Sequence, residues 1–199
     1  MSLFTRVLES TLPYRLCQAT HAQQKLVPLL DMNDLSRSHR VLDVGCGPGT
    51  NTAHFDNSEY VGLDLNLDYL RSARRRHRRP FIVADVTIDP LGHGDFDFIL
   101  VNSLLHHLCD TDVHGVLRRL GDLLVPDGYI HILDLVLPPR GSLPRWMALL
   151  DRGDFARTLE DWREILEQHF ECSLFQPYPL TVLGFTFWNM VYFRGAKRT

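Results

Sequence analysis

Three glycines, Gly45, Gly47 and Gly49, occupy alternate positions in the stretch VLDVGCGPGTN. A glycine-rich turn between a strand and a helix lets the backbone approach a ligand and directs free N–H groups at an anionic part of it. The dinucleotide pattern G-x-G-x-x-G would need a glycine where Thr50 or Thr52 stands, and no Gly-Lys-Ser/Thr follows as in a P-loop. The spacing therefore predicts a site for an anionic cofactor of another kind.

Three aspartates accompany this loop at the ends of successive predicted strands. Asp43 stands two residues before the first glycine, Asp64 ends the second strand and Asp85 ends the third. The carboxyl ends of parallel strands meet at one edge of the sheet, where such folds bind ligands. Asp64 can accept hydrogen bonds from both hydroxyls of a ribose. Asp43 and Asp85 also fit plain structural roles, as a turn cap and a strand-end carboxylate.

The richest group of titratable side chains follows the fourth predicted strand, in residues 102–114. His106 and His107 are adjacent, so on a helix they point about 100° apart and only one can easily face a ligand. Either is a candidate general base if the reacting group must lose a proton. The alternative is that the pair packs and orders the next helix. No metal is expected, because adjacent histidines do not converge with Asp110 and Asp112 on one ion.

Strands alternate with helices along the chain, which predicts an α/β fold with a parallel sheet covered on both faces. Thr158 with Asp161 three residues later predicts the start of a late helix. The predicted strands are 40–45, 59–65, 80–86, 95–102, 129–137, 172–176 and 186–193, and the later helices are 112–124 and 158–170.

Five segments in order, VLDVGCGPG, GLDLN, ADV, FDFILVNSLLHHL and LLVPDGYIHILD, resemble the class I S-adenosylmethionine-dependent methyltransferases over residues 20–195. The Leu-His-His-Leu segment is similar to the small-molecule branch related to quinone biosynthesis, methyltransferase type 11. The resemblance implies a Rossmann-like three-layer sandwich. Its mostly parallel seven-stranded sheet would have an antiparallel last strand and helices on both faces.

The resemblance also implies the cofactor, S-adenosyl-L-methionine, with S-adenosyl-L-homocysteine as product and no metal. Gly45, Gly47 and Gly49 would line its methionine part, while Asp43 orders the loop or meets the amino group. The other implied cofactor contacts are Asp64 to the ribose, Leu65 beside the adenine, Asp85 to the adenine N6, Val86 on the ring and Asn102 at the methionine end.

The expected reaction is an in-line displacement in which alignment is the main contribution of the protein. The chain lacks the Asn/Asp-Pro-Pro-aromatic motif of nucleic-acid amino methyltransferases, and no glutamate lies between Asp97 and Thr158 to form the paired-glutamate loop of arginine methyltransferases. We therefore expect O- or C-methylation, rather than N-methylation, of a small hydrophobic or aromatic metabolite. The alternative is a cofactor-binding pseudo-enzyme or regulatory subunit that acts through a partner protein.

Two segments fall outside the alternating pattern of this predicted single methyltransferase domain, 1–199. Residues 1–19 are expected to form an N-terminal cover and residues 138–157 a substrate lid. Their apolar side chains would make the acceptor wall, or would only pack the lid against the domain. These candidate substrate-binding residues are Tyr14, Trp146, Met147, Leu150 and Phe155.

Composition is that of an ordinary globular protein, with a net charge of −3 and 45% hydrophobic residues. Four scattered cysteines and the lack of a signal or membrane segment predict a cytoplasmic protein, monomeric or homodimeric, without stable membrane insertion. The arginine-rich stretch 71–79 fits a nucleic-acid or anionic-membrane patch. We favour a solvated helix face with Leu67, Leu70 and Ala73 inward, and expect no nucleic-acid partner.

Overall fold

The computed structural model describes residues 23–92, 94–139, 155–182 and 184–198, together with Arg145. None of the helices in these ranges is both long and apolar enough to cross a lipid bilayer. The strands are β1 Arg40–Val44, β2 Glu59–Asp64, β3 Phe81–Val83, β4 Phe96–Asn102, β5 Leu124–Val136, β6 Phe170–Val182 and β7 Phe185–Lys197. The helices are α1 at 23–32, α2 Leu67–Arg76, α3 Asp110–Leu123 and α4 Leu159–His169, with 3₁₀ turns at Leu35–Arg37, Thr52–Phe55 and Leu105–His107.

The seven strands form one sheet in the order β3-β2-β1-β4-β5-β7-β6. Strands β1 to β5 pair in parallel, whereas β7 pairs antiparallel with both β5 and β6. The predicted Rossmann-like architecture with an antiparallel last strand is therefore confirmed. The strand order reverses between β1 and β4, and a crevice at their carboxyl ends is where open α/β sheets bind ligands.

The core lies on both faces of this sheet, as the nearly continuous apolar runs of the parallel strands predict. On one face, α3 and α4 cover the sheet with side chains such as Leu117 and Trp162. On the other face, α1 and α2 contribute Leu29 and Leu70. With helices on both faces, the sheet leaves its carboxyl edge available for the site.

Strand lengths at the two ends of the sheet differ from those predicted. Residues 80–86 were predicted as a strand, but β3 ends at Val83 because the Asp85 carboxylate accepts hydrogen bonds from the Thr87 N–H and hydroxyl and turns the chain. The last two strands are longer than predicted, 13 residues each. They pair along their whole length, a contact that alternating hydrophobicity alone does not reveal.

The arginine-rich stretch begins in α2, whose Leu70 and Ala73 are buried as expected. The prediction that Leu67 points inward is wrong, since this residue is 41% exposed at the start of the helix. Arg74 donates to the carbonyl of Phe81 and Arg79 to that of Ser58. Part of the stretch therefore ties α2 and its following loop to the sheet.

Candidate functional site

The glycine loop after β1 has a backbone that only glycine adopts readily. Gly45, Gly47 and Gly49 have φ of +72°, +55° and +79°, in the left-handed region. A Cβ on Gly45 would lie 3.3 Å from the side chain of Leu104, and one on Gly49 would lie 3.1 Å from that of Ala73. A Cβ on Gly47 would meet no heavy atom within 4 Å. The outer glycines therefore allow close packing, while the middle one leaves bare backbone facing open space.

The loop is held from the end of β2 by Asp64. Its Oδ2 accepts the Gly47 N–H at 2.8 Å and its Oδ1 accepts the Asn66 N–H at 2.7 Å. Each carboxylate oxygen has a further lone-pair position, so the half-buried group can still accept two hydroxyl donors. Leu65, the next residue, is 65% exposed. This arrangement suits a ribose lying beside the glycine loop.

Asp43 lies beneath the loop and is fully buried. Its Oδ2 accepts hydrogen bonds from the Tyr60 hydroxyl at 2.8 Å and from Asn51 Nδ2 at 3.4 Å. Its Oδ1 is buried with no hydrogen-bond partner in the described part of the chain. Burial raises the pKa of Asp43 to about 6, against the opposing effect of these two hydrogen bonds. Asn51 lines the cavity described below, so Asp43 reaches that cavity through Asn51.

Asp85 follows β3, the neighbour of the strand that carries Asp64. Its Oδ1 accepts from the Thr87 hydroxyl at 2.5 Å and from the Thr87 N–H at 2.9 Å, and these bonds lower the pKa of the carboxyl group. Val86 is 8% exposed and packs into the core. The acids at the ends of β2 and β3 therefore stand on adjacent strands at one edge, where the sequence predicts the adenosine.

A cavity of about 210 Å³ opens between the glycine loop and the end of β4. Of the predicted site residues it brings together Gly45, Gly47, Asn102 and His106. The other predicted residues in the described ranges, Asp43, Gly49, Asp64, Leu65, Asp85, Val86, His107 and Phe155, do not line it. Its remaining walls are Lys25, Cys46, Pro48, Thr50, Asn51, Ser103, Leu135, Leu180, Trp188 and Met190.

His106 is buried in the turn after β4, and its ring Nδ1 lies 2.5 Å from Oδ1 of Asp134 at the end of β5. Burial opposes ionisation of Asp134, but the charge and hydrogen bond of His106 and the N–H groups of Leu135 and Leu105 outweigh it and lower its pKa. An ionised Asp134 requires Nδ1 to be the donor. In the neutral form of the ring, Nε2 is then the nitrogen that can take up a proton, and the His106 side chain lines the cavity.

His107 differs from His106 in its exposure and in its position relative to the cavity. It is exposed, whereas His106 is 3% exposed, and it is not a wall residue. Its ring lies 4.1 Å from that of His106, centroid to centroid. The structure thus separates two histidines that the sequence left equivalent.

Ser103, directly after β4, has φ of +56°, and it is the single non-glycine residue with positive φ in the described ranges. That conformation costs roughly 1–2 kcal/mol for an L-residue. The Ser103 N–H donates to the carbonyl of Leu133 at 2.8 Å, and Lys25 Nζ donates to the Ser103 hydroxyl at 2.9 Å. These contacts bring the ammonium group of α1 to the cavity wall beside Asn102.

Sequence reasoning missed Asp134, Lys25 and Trp188. A signal existed for Asp134, because it lies near the carboxyl end of the predicted strand 129–137, at the same edge of the sheet as Asp43, Asp64 and Asp85. Lys25 and Trp188 carried none, since they reach the cavity from α1 and β7 only after the sheet assembles. Of the predicted cover, Phe155 is described and is 43% exposed. Residues 1–19, Tyr14, Trp146, Met147 and Leu150 lie outside the described residues.

Metal-ligating side chains do not cluster in the part of the chain that the structure describes. There, no three His, Cys, Asp or Glu side chains are arranged to hold one ion.

Comparison with known proteins shows that this chain is similar to methyltransferases. Residues 41–128 match the family model described as a methyltransferase domain. An uncharacterized methyltransferase of Mycobacterium tuberculosis is 35% identical over 103 residues, 49% of this chain and 51% of the relative. The fatty-acid O-methyltransferase of Mycolicibacterium smegmatis is 34% identical over 114 residues, 54% of this chain and 40% of the relative. The chain therefore spans about half the length of these curated relatives, or less.

A crystal structure of an S-adenosylmethionine-dependent methyltransferase from Methanosarcina mazei superposes with a TM-score of 0.71. It is 16% identical and covers 86% of this chain and 98% of its own. At this identity the likeness bears on the fold alone.

Proposed function

We propose that this chain belongs to the class I S-adenosylmethionine-dependent methyltransferase superfamily and that it transfers the methyl group to a small apolar acceptor bearing a phenolic or enolic hydroxyl. The reaction is O-methylation, or C-methylation of the enol carbon. The observation that carries the proposal is the buried pair of His106 and Asp134 on the wall of the cavity beside the glycine loop.

The residues at the edge of the sheet fit the cofactor. The bare backbone of Gly47 leaves space for the methionine chain, and the remaining acceptor positions of Asp64 suit the two ribose hydroxyls. Lys25 supplies a positive charge at the cavity wall for the methionine carboxylate. Leu65, Asp85 and Val86 would face the adenine, and Asn102 would meet the amino-acid end.

When bound, this cofactor supplies a methyl group that a positively charged sulfur already activates. The chain therefore has to align the acceptor, exclude water and remove a proton where the acceptor holds one. His106 is suited to accept that proton at Nε2, because Asp134 holds Nδ1 as the donor and stabilises the imidazolium. A carboxylic acid acceptor is already ionised at neutral pH and does not need this base.

The acceptor side of the cavity supports an apolar substrate. Leu135, Leu180, Trp188 and Met190 line it next to His106. Three of these four side chains are buried and form one apolar cluster with half-buried neighbours, including Trp188. A ring or short chain packed there would present its hydroxyl towards the basic nitrogen. One relative is a fatty-acid O-methyltransferase, so a fatty acid is the natural alternative acceptor to compare with a phenol or enol.

Incubation with methyl-labelled S-adenosylmethionine tests the proposal. The acceptors are a panel of alkylphenols, naphthols and hydroxyquinones and a second panel of long-chain fatty acids. We expect labelled product from the first panel and loss of that product in His106→Ala. If only fatty-acid esters are labelled, and His106→Ala forms them as fast as wild type, the acceptor is a carboxylate rather than a phenol or enol.

The same experiment distinguishes the alternative, a cofactor-binding pseudo-enzyme or regulatory subunit that acts through a partner protein. Such a protein would bind S-adenosylhomocysteine in calorimetry, and it would label no small molecule in either panel or in a metabolite extract. We propose instead a cytoplasmic enzyme, monomeric or homodimeric, that needs neither a nucleic acid nor a membrane. Size-exclusion chromatography with light scattering, run on the active sample, tests the oligomeric state.

A further inference from the structure

Arg157 is a buried arginine outside the cavity, on the chain just before α4. It is 6% exposed, and all five of its N–H donors have acceptors. Nε and Nη2 donate to Asp110 Oδ1 at 2.9 and 2.7 Å, and Nη2 also donates to the carbonyl of Leu108 at 2.7 Å. Nη1 donates to the carbonyls of Leu105 and Phe155, both at 3.1 Å.

These acceptors surround the 3₁₀ turn that carries His106. The carbonyls of Leu105 and Leu108, one before and one after the histidine pair, both bind the same guanidinium. The carbonyl of His106 itself accepts the Phe155 N–H at 3.1 Å. Residues 155–157 therefore hold the backbone of this turn on both sides of His106 and at His106.

Arg157 is itself fixed to the sheet close to the other half of the pair. Its carbonyl accepts the Leu137 N–H at 2.7 Å, and it forms an isolated parallel bridge with Val136, two residues beyond Asp134. Its Cζ also lies 5.0 Å from the centroid of the Trp162 ring. Arg157 thus joins the turn of the histidine, through its side chain, to the strand that carries Asp134, through its backbone.

We propose that Arg157 is a positioning residue for His106, which sets the ring where Asp134 can hold Nδ1 and Nε2 can meet the acceptor. The inference rests on the proposed role of His106 in catalysis. Asp134 restrains the ring, and Arg157 restrains the backbone that places it. A lysine at 157 keeps the charge but can reach at most three acceptors from one nitrogen, so it cannot hold the turn on both sides.

The test uses the full chain with Arg157→Lys and, as a milder change, Asp110→Ala, which removes the exposed partner of the guanidinium. The controls are Arg163→Lys, an exposed arginine of α4 paired with Glu167, and Asp112→Ala in the first turn of α3. Nitrogen-15 NMR reports the tautomer of His106 and the solvent exchange of its Nδ1 proton. Calorimetry with S-adenosylhomocysteine reports the cofactor site, and labelled methyl transfer to naphthols reports the rate.

We expect Arg157→Lys to bind S-adenosylhomocysteine as wild type does, with a mixed His106 tautomer, faster Nδ1 exchange and a rate up to ~100-fold lower. Asp110→Ala should shift the same NMR signals by less, and both controls should shift none. Unchanged His106 signals in both test variants would overturn the proposal, as would a loss of S-adenosylhomocysteine affinity as large as the loss of rate. The NMR result decides positioning even if no acceptor is methylated, an outcome that would instead contradict the proposed function.

Discussion

Nδ1 of His106 lies 2.5 Å from Oδ1 of Asp134, and both side chains are buried at the carboxyl edge of the sheet. The two residues come from different strand ends, 28 positions apart in the chain. A carboxylate in this position fixes the tautomer of the imidazole and stabilises its protonated form. The proposed role of His106 as a base requires such a contact.

The pair should behave as one unit in catalysis. We expect His106→Ala and Asp134→Asn each to lower the rate of transfer to a phenolic acceptor by about 10²- to 10⁴-fold, the usual contribution of a positioned base. Because each residue acts through the other, the double variant should be little slower than the singles. Labelled methyl transfer gives the rates, and His107→Ala should stay near wild type. Additive losses in the double variant would mean that the two residues act independently.

Asp64 should dominate cofactor affinity. Asp64→Ala removes the charged acceptor for both ribose hydroxyls and the Oδ2 that holds the Gly47 N–H, so affinity for S-adenosylhomocysteine should fall at least ~10-fold. Calorimetry measures this affinity, and Asp68→Ala, an exposed acid in the first turn of α2, is the matched control. Equal affinity in wild type and Asp64→Ala would reject the ribose-binding role.

Lys25 should recognise the amino-acid end of the cofactor. In Lys25→Met the binding of S-adenosylhomocysteine should weaken, while that of methylthioadenosine, which lacks the carboxylate, should not change. Calorimetry with both ligands gives the comparison, and Lys197→Met on β7 is the control for loss of a positive charge. A parallel loss for the two ligands would show that Lys25 acts on the fold of the site through Ser103 rather than on the carboxylate.

Gly47 should be needed for binding more than for folding. Alanine at φ +55° costs roughly 1–2 kcal/mol, and its Cβ would stand in the open space beside the loop. Gly92→Ala is a matched control, since Gly92 also has positive φ, +74°, and open surroundings, and lies before β4 away from the cavity. Thermal unfolding should show similar losses for both variants, whereas S-adenosylhomocysteine should stabilise only Gly92→Ala. Equal stabilisation of the two would remove the loop from the binding site.

Asp43 should make stability depend on pH. Its folded pKa is raised from 3.8 to about 6, so the folded state holds the proton more tightly and loses stability as pH rises through this window. Relative to Asp43→Asn, wild type should lose up to about 3 kcal/mol between pH 3.8 and 6, at 1.4 kcal/mol per unit of pKa. Urea unfolding at several pH values measures the difference.

Subtracting the Asp43→Asn variant also removes the opposite trend from His131. Burial, with a smaller effect of Arg194, lowers the pKa of His131 from 6.5 to about 3. Because of this group, the free energy of unfolding of the protein decreases as the pH falls below 6.5. A difference between wild type and variant that is flat across the window would mean that Asp43 is not the titrating group.

Local sequence patterns predict the α/β sheet and place the glycine loop and the three aspartates at its carboxyl edge. Strands alternate with helices, the glycines are regularly spaced and the aspartates stand at strand ends. Each of these patterns can be read within a short stretch of sequence, without knowledge of which distant segments pack together. The sequence predicts the last two strands too short, at 172–176 and 186–193, whereas β6 and β7 have 13 residues each. The extra length comes from the pairing of β6 with β7, which a local pattern does not reveal.

Which of the two histidines lines the cavity, and which residues hold it there, follows from contacts between distant parts of the chain. His106 and His107 are equivalent as neighbours in sequence, and they become different when β5 brings Asp134 to one of them and residues 155–157 clamp the turn. Lys25 likewise reaches Ser103 across 78 residues. Such contacts depend on the packing of elements far apart in the chain, and no local periodicity encodes the distance between their side chains.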